Sequence, residues 1–215
     1  MQTYVRPRFL ALFAALLLSV VNAAAPVPAA AQKPALSTAV LAGGCFWGMS
    51  EIFESLDGVT NVVSGFAGGD SNTAEYEMVS TGTTGHAESV QITFDPKRIS
   101  YEQLLDVYFT VAHDPTQLNR QGPDQGTQYR SSIFYSDATQ QQEALAYIHK
   151  LTVAKTFSSP IVTEVVPLRG FYPAEEYHQH FARLHPDYPY IKYVDAPKMD
   201  QLKKLFPQLL AKSAA

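Results

Sequence analysis

Hydrophobic positions first form a continuous run, Thr38-Ala39-Val40-Leu41-Ala42, and then switch to helical spacing at Met49, Ile52, Phe53 and Leu56. The first pattern predicts a short buried strand and the second a helix that opens at Cys45. After Gly58, Val59 to Phe66 alternates as a strand and closes on Gly68-Gly69-Asp70. In the polar stretch that follows, Thr73 to Val79 predicts a short helix carrying Tyr76. Residues 86–94 alternate again: Val90, Ile92 and Phe94 share one face by the period of two, and Glu88 falls on that same face. A carboxylate there is unusual, because buried glutamates are rare unless paired.

Asp95-Pro96 ends this strand, and Ser100 with Gln103 forms a capping box ahead of Leu104, Leu105, Tyr108 and Phe109. His113 to Gln128 lacks apolar periodicity and reads as one long loop, a length that usually carries function. Tyr129 to Tyr135 predicts a strand, Asp137 with Gln140 caps a helix running to about Lys155, Ile161 to Val166 a further strand, and Glu175 to Leu184 a helix. From His185 the tail is rich in Pro and Tyr, with an amphipathic piece over Leu202 to Leu210. This order predicts an α+β fold: a two-layer sandwich of mixed sheet and covering helices with a ferredoxin-like, split βαβ core, long loops and an irregular C-terminal tail. Cys45, where the first strand hands over to the first helix, is expected at a sheet edge.

The start of the chain lies outside this pattern. Arg6 and Arg8 precede an apolar run, Phe9 to Val21, broken only by Ser19, and small residues follow at Asn22-Ala23-Ala24-Ala25. This predicts a secretory signal peptide over 1–25, cleaved after Ala23, Ala25 or as late as Ala31. The run is shorter than the roughly 20 residues a spanning helix needs, so no stable membrane anchor is expected. Residues 26–37 read as a disordered lead-in and 38–212 as one domain with a single core, expected to act as a monomer in the bacterial periplasm. A formal net charge of -4, with no Lys/Arg cluster, argues against nucleic acid as a partner.

Composition matters most at one place. The only cysteine and the only tryptophan stand two residues apart, in Gly43-Gly44-Cys45-Phe46-Trp47-Gly48. A single cysteine forms no internal disulfide, so its thiol is either buried or used. At a helix N-terminus, unpaired N–H groups and the positive end of the dipole favour the thiolate. His178, His180 and His185 raise the question of a metal. Residues two apart diverge on a helix and there is no paired-cysteine signature, so no metal is expected.

Gly44-Cys45-Phe46-Trp47-Gly48, Thr84-Gly85-His86-Ala87-Glu88, His113-Asp114-Pro115, Arg120-Gln121-Gly122, Asp124, Gly126-Thr127-Gln128-Tyr129-Arg130-Ser131 and Ala174-Glu175-Glu176-Tyr177-His178-Gln179 follow one another from Gly43 to about His180. Together they resemble the type A peptide-methionine sulfoxide reductases, in that family's order and over nearly the whole domain. The resemblance implies reduction of methionine S-sulfoxide, free or in proteins, with Cys45 as the nucleophile and a cysteine sulfenic acid as intermediate. It makes Glu88 the acid that protonates the sulfoxide oxygen, a role suited to a carboxyl kept neutral by burial. Phe46 and Trp47 would cage the S-methyl group, Tyr76 and Tyr129 would hold the oxygen, Asp124 would organise the site, and His178 would support the pocket by hydrogen bonding. No bound cofactor is implied.

One departure changes the picture. Many relatives carry further cysteines that attack the sulfenic acid, and this chain has none. Resetting Cys45 then requires an external thiol, from a thioredoxin-like protein, from glutathione with glutaredoxin, or from dithiothreitol in vitro. The alternative is a non-catalytic module that binds oxidised methionine side chains through the same aromatic residues.

Overall fold

The computed structural model describes residues 1–4 and 35–212. Apart from the first four residues, the expected signal peptide lies outside the described residues, as does the lead-in up to residue 34. No described helix is long and apolar enough to cross a membrane.

The chain enters a central strand, β1 (Ser37–Gly43), crosses through α1 (Phe46–Glu54) to β2 (Val59–Ala67), passes a short α2 (Tyr76–Val79) and returns along β3 (Ala87–Phe94). α3 (Tyr101–Val107) continues into a π-helical turn, Tyr108–Ala112. Its N-terminus carries the full capping box: Ser100 Oγ accepts from the Gln103 N–H, and Gln103 Oε1 accepts from the Ser100 N–H. The long loop holds a small hairpin, β4 (Arg120–Gln121) and β5 (Asp124–Gln125), before β6 (Ser131–Tyr135), α4 (Ala138–Val153), β7 (Glu164–Pro167) and β8 (Phe171–Pro173). α5 (Phe181–Leu184) and α6 (Ala196–Leu205) finish the described chain with a last 3-10 turn, Pro207–Leu209.

The large sheet has the order β7-β6-β1-β3-β2-β8. Its inner four strands are antiparallel throughout and linked by two helical crossovers, β1-α1-β2 and β3-α3-β6, which is the split βαβ arrangement. β7 adds in parallel to β6, which makes the sheet mixed. Alternation along β1 divides the core: Ala39 and Leu41 join the large cluster with Met49, Ile52, Phe53, Leu104 and Leu105, while Val40 and Ala42 join a small cluster on the other face with Phe134.

Four sequence expectations change. β1 is the third of six strands, so Cys45 sits at the end of the central strands and not at the sheet edge. Tyr129 belongs to a 3-10 turn (Thr127–Tyr129) and the strand starts at Ser131. The strand expected from Ile161 starts only at Glu164, because the residues before it are bonded elsewhere: the Val162 N–H donates to the Pro115 carbonyl, and the Thr163 and Ser131 hydroxyls pair at 2.7 Å. The helix expected over Glu175 to Leu184 is broken into a 3-10 turn (Glu176–His178) and α5. Gln179 is diverted to β2, its amide accepting from the Ser64 N–H and donating to the Ser64 carbonyl, and His180 then takes a left-handed φ of 55°. β8, too short for a periodic signal, was not expected.

Candidate active site

The register of the sheet brings the first two chemical groups together. β1 runs antiparallel to β3 with Leu41 opposite Val90, so the end of β1 meets the start of β3, where Glu88 lies. Gly44 makes the turn out of β1 at a φ of 97°, and a Cβ there would sit 2.6 Å from the Gln121 side chain. Cys45 follows as N-cap of α1 in an extended conformation, half-buried. The helix N–H groups that face outward at this end are divided between two acceptors. The Phe46 N–H donates to Glu88 Oε2 at 3.1 Å, and the Trp47 N–H favours the Cys45 sulfur.

Glu88 is 2% exposed. Burial, reinforced by the Asp124 carboxylate, pushes its pKa up to about 8 against the Phe46 N–H, so it is a neutral acid at pH 7. Cys45 behaves differently from the sequence expectation. Burial first, then the Glu88 and Asp195 carboxyls, raise the thiol well above its ordinary range and outweigh the helix N-terminus, so the resting sulfur is a thiol.

The predicted site residues cluster around this pair. Tyr76 and Tyr129 are both half-buried and both feel Glu88 and Cys45, and burial raises both phenols, keeping them hydrogen-bond donors. Phe46 is wholly buried and packs on Phe66 and His178 as part of the core. Trp47 is half-buried, stacked on Phe181 at 3.9 Å, with Tyr188 and Tyr190 at its edge. Its indole N–H donates to His178 Nδ1 at 3.1 Å. Asp124 accepts a hydrogen bond from the Tyr190 hydroxyl, so it acts on the site through a tyrosine. Of the other histidines, His180 pairs with Glu54 and His113 is buried on Ser131 and the Tyr108 carbonyl. A cleft of about 580 Å³ lies elsewhere, between α3 and α4, and none of these residues lines it.

Two residues escaped the sequence reading. Tyr190 is one of 12 tyrosines, in a tail with no periodicity to single it out. Asp195 precedes Ala196-Pro197 and has the look of a helix cap, yet its side chain caps nothing. It is 1% exposed, pairs with Lys198 at 3.1 Å, and lies so close to α1 that a Cβ on Gly48 would fall 2.1 Å from its Oδ1. Gly48 is therefore the place where the tail docks on the Cys45 helix.

Comparison with known proteins identifies the family to which the chain belongs. The family described as peptide methionine sulfoxide reductase matches residues 37–210. The chain is 57% identical over 176 residues to the peptide methionine sulfoxide reductase MsrA 2 of Mesorhizobium japonicum, covering 82% of this chain and 90% of that protein. It is 48% identical to the MsrA 2 of Synechocystis, covering 80% of each. Among solved structures it resembles reduced Mxr1 of Saccharomyces cerevisiae at 34% identity and a TM-score of 0.67, over 71% of this chain and 87% of that one. It also resembles methionine sulfoxide reductase A of Corynebacterium diphtheriae at 35% identity and a TM-score of 0.62, over 72% of this chain and 77% of that one. A buried neutral carboxyl beside a lone thiol, on a fold and sequence shared this widely, places the chain in the peptide methionine sulfoxide reductase family, whose chemistry it carries out: thiol-dependent reduction of methionine sulfoxide.

Proposed function

We propose that Cys45 and Glu88 perform this reduction on the S epimer of the sulfoxide, free or within oxidised proteins, and that an external thiol completes each cycle. The observation that carries the reading is Glu88, buried and held neutral, and hydrogen-bonded to the first N–H of the Cys45 helix. Trp47, backed by the buried Phe46 ring, receives the S-methyl group, and the Tyr76 and Tyr129 hydroxyls with Glu88 receive the oxygen. The sulfoxide sulfur carries partial positive charge, which favours loss of the Cys45 proton once substrate is seated.

Sγ then attacks that sulfur while Glu88 protonates the oxygen. The attack forms an Sγ–S bond; the hydroxyl then passes from the substrate sulfur to Sγ as the S–O and Sγ–S bonds both break, leaving a sulfenic acid on Cys45 and an electron pair on the methionine sulfur, which departs reduced by two electrons. Glu88 recovers the proton that the thiol gave up. An external thiol next attacks Sγ, forming a mixed disulfide and releasing water. A second thiol restores Cys45 and leaves as a disulfide. With one cysteine in the chain, no internal group can replace the external thiol. Export to the periplasm is part of the proposal, supported by the sequence pattern of Arg6 and Arg8 ahead of the apolar run Phe9 to Val21, and a mature N-terminus still beginning at Met1 in cells would overturn that part.

The test is turnover by the purified mature protein. With dithiothreitol it should convert an S-sulfoxide peptide to methionine and leave the R epimer untouched. Thioredoxin and glutathione with glutaredoxin, supplied separately, should identify the reductant. Absence of turnover with dithiothreitol, or equal use of both epimers, would sink the reading.

A further inference from the structure

The Trp47 indole N–H donates to His178 Nδ1 at 3.1 Å. An indole nitrogen only donates, so Nδ1 must be the bare acceptor nitrogen and the neutral ring carries its proton on Nε2. Nε2 is buried without a hydrogen-bond partner, and so is the Glu175 Oε2 that it faces at 4.0 Å. The other carboxyl oxygen of Glu175 is used, since Oε1 accepts the Tyr76 backbone N–H at 2.9 Å. A line of polar groups, interrupted only by the 4.0 Å gap between Nε2 and Oε2, therefore runs from Trp47 through His178 and Glu175 to Tyr76, joining two residues that are far apart in sequence.

Burying such a chain with two unpaired atoms is costly, and an apolar ring at 178 would pack as well. His178 is already enclosed by aromatic rings: Phe46 at 5.0 Å, Tyr76 at 4.3 Å and Tyr177 at 4.1 Å. What an apolar ring could not do is fix the in-plane orientation of the indole. Burial also lowers the basicity of His178 against the pull of Glu175, which keeps Nδ1 free to accept.

We infer that His178 and Glu175 are positioning residues: Glu175 selects the Nε2–H tautomer of His178, that tautomer fixes the Trp47 ring, and the same carboxylate fixes the Tyr76 backbone, so that the pair sets the affinity of the pocket for the sulfoxide. The inference rests on the reading of Trp47 and Tyr76 as the pocket walls. A fixed wall contacts substrate and transition state alike, so its loss falls on KM and spares kcat.

The test uses the full mature protein and its single indole. In the ¹H–¹⁵N spectrum without substrate, His178→Phe should move the Trp47 indole N–H upfield and speed its exchange with solvent. His178→Asn, whose amide oxygen stands near the place of Nδ1, should restore both. In the sulfoxide assay, His178→Phe should raise KM about tenfold, with kcat within about threefold, and His178→Asn should recover most of the loss. Glu175→Gln presents an N–H₂ to Nε2, opposes the required tautomer and should reproduce the Phe variant in both readouts. An indole signal unmoved in His178→Phe, or losses in kcat that Asn does not rescue, would overturn the inference. The indole signal is read without turnover, so an unaltered protein inactive on sulfoxide would sink the functional reading and leave the clamp measurable.

Discussion

Cys45→Ser is expected to abolish sulfoxide reduction, leaving only the background rate of dithiothreitol itself. A hydroxyl is a far weaker nucleophile than a thiol and cannot become a sulfenic acid. The isolation of this cysteine gives the unaltered protein a distinctive companion result. Mixed with excess sulfoxide and no reductant, it should release about one equivalent of methionine and stop, with its one titratable thiol consumed and trappable as a sulfenic acid. A second equivalent released without added thiol would disprove the one-cysteine cycle. Unchanged circular dichroism in the Ser variant would show that the loss is chemical, since half-buried Cys45 contributes little to the core.

The second large effect belongs to Glu88→Gln, which should lower the rate of the first, sulfoxide-reducing step by roughly 10²- to 10⁴-fold, the usual worth of a positioned proton donor. Gln still accepts from the Phe46 N–H but donates no acidic proton. The pH dependence follows from the raised acid. In single turnover the unaltered protein should be fastest below about pH 8 and slow as Glu88 ionises through that value. Ionisation of Cys45 would speed the reaction, but its thiol is raised well above its ordinary range, so the decline due to Glu88 comes first. The Gln variant should lack the decline; a variant that retains it would place the acid elsewhere.

The same shift has a sign for stability. Above the ordinary value of 4.5 the unfolded chain ionises Glu88 while the folded protein keeps the proton to about pH 8. In that window the folded state holds more protons, so the contribution of Glu88 is full below 4.5 and is lost as pH rises to 8. The difference in melting temperature between Glu88→Gln and the unaltered protein should therefore shift in favour of the variant across this window.

Much of this was legible in the chain. The strand-to-helix change of period placed Cys45 at the head of α1, and the period of two placed Glu88 among apolar neighbours, because both are local patterns that the backbone obeys wherever its fold is built. Capping at Ser100 and Asp137 was equally local: each side chain accepts the N–H three residues on. Less was legible where side chains bond across the fold. Gln179 breaks an apparent helix because it is held by Ser64 of β2, and Val162 leaves an apparent strand because Pro115 takes its N–H.

The sequence by itself determined which groups stand out as candidates for the chemistry and in what order they lie, since a lone cysteine and a glutamate on an apolar face are facts of composition and period. Only the tertiary structure decided their state. Burial first, then the Glu88 carboxyl of β3 and the Asp195 carboxyl brought in from a tail without periodicity, turn a cysteine that the helix N-terminus should ionise into a resting thiol. His178 likewise became a neutral acceptor for Trp47 only when burial in the folded protein lowered its basicity against the pull of Glu175. Ionisation and tautomer depend on the dielectric and the charges around a group, and those are set by what the fold packs against it.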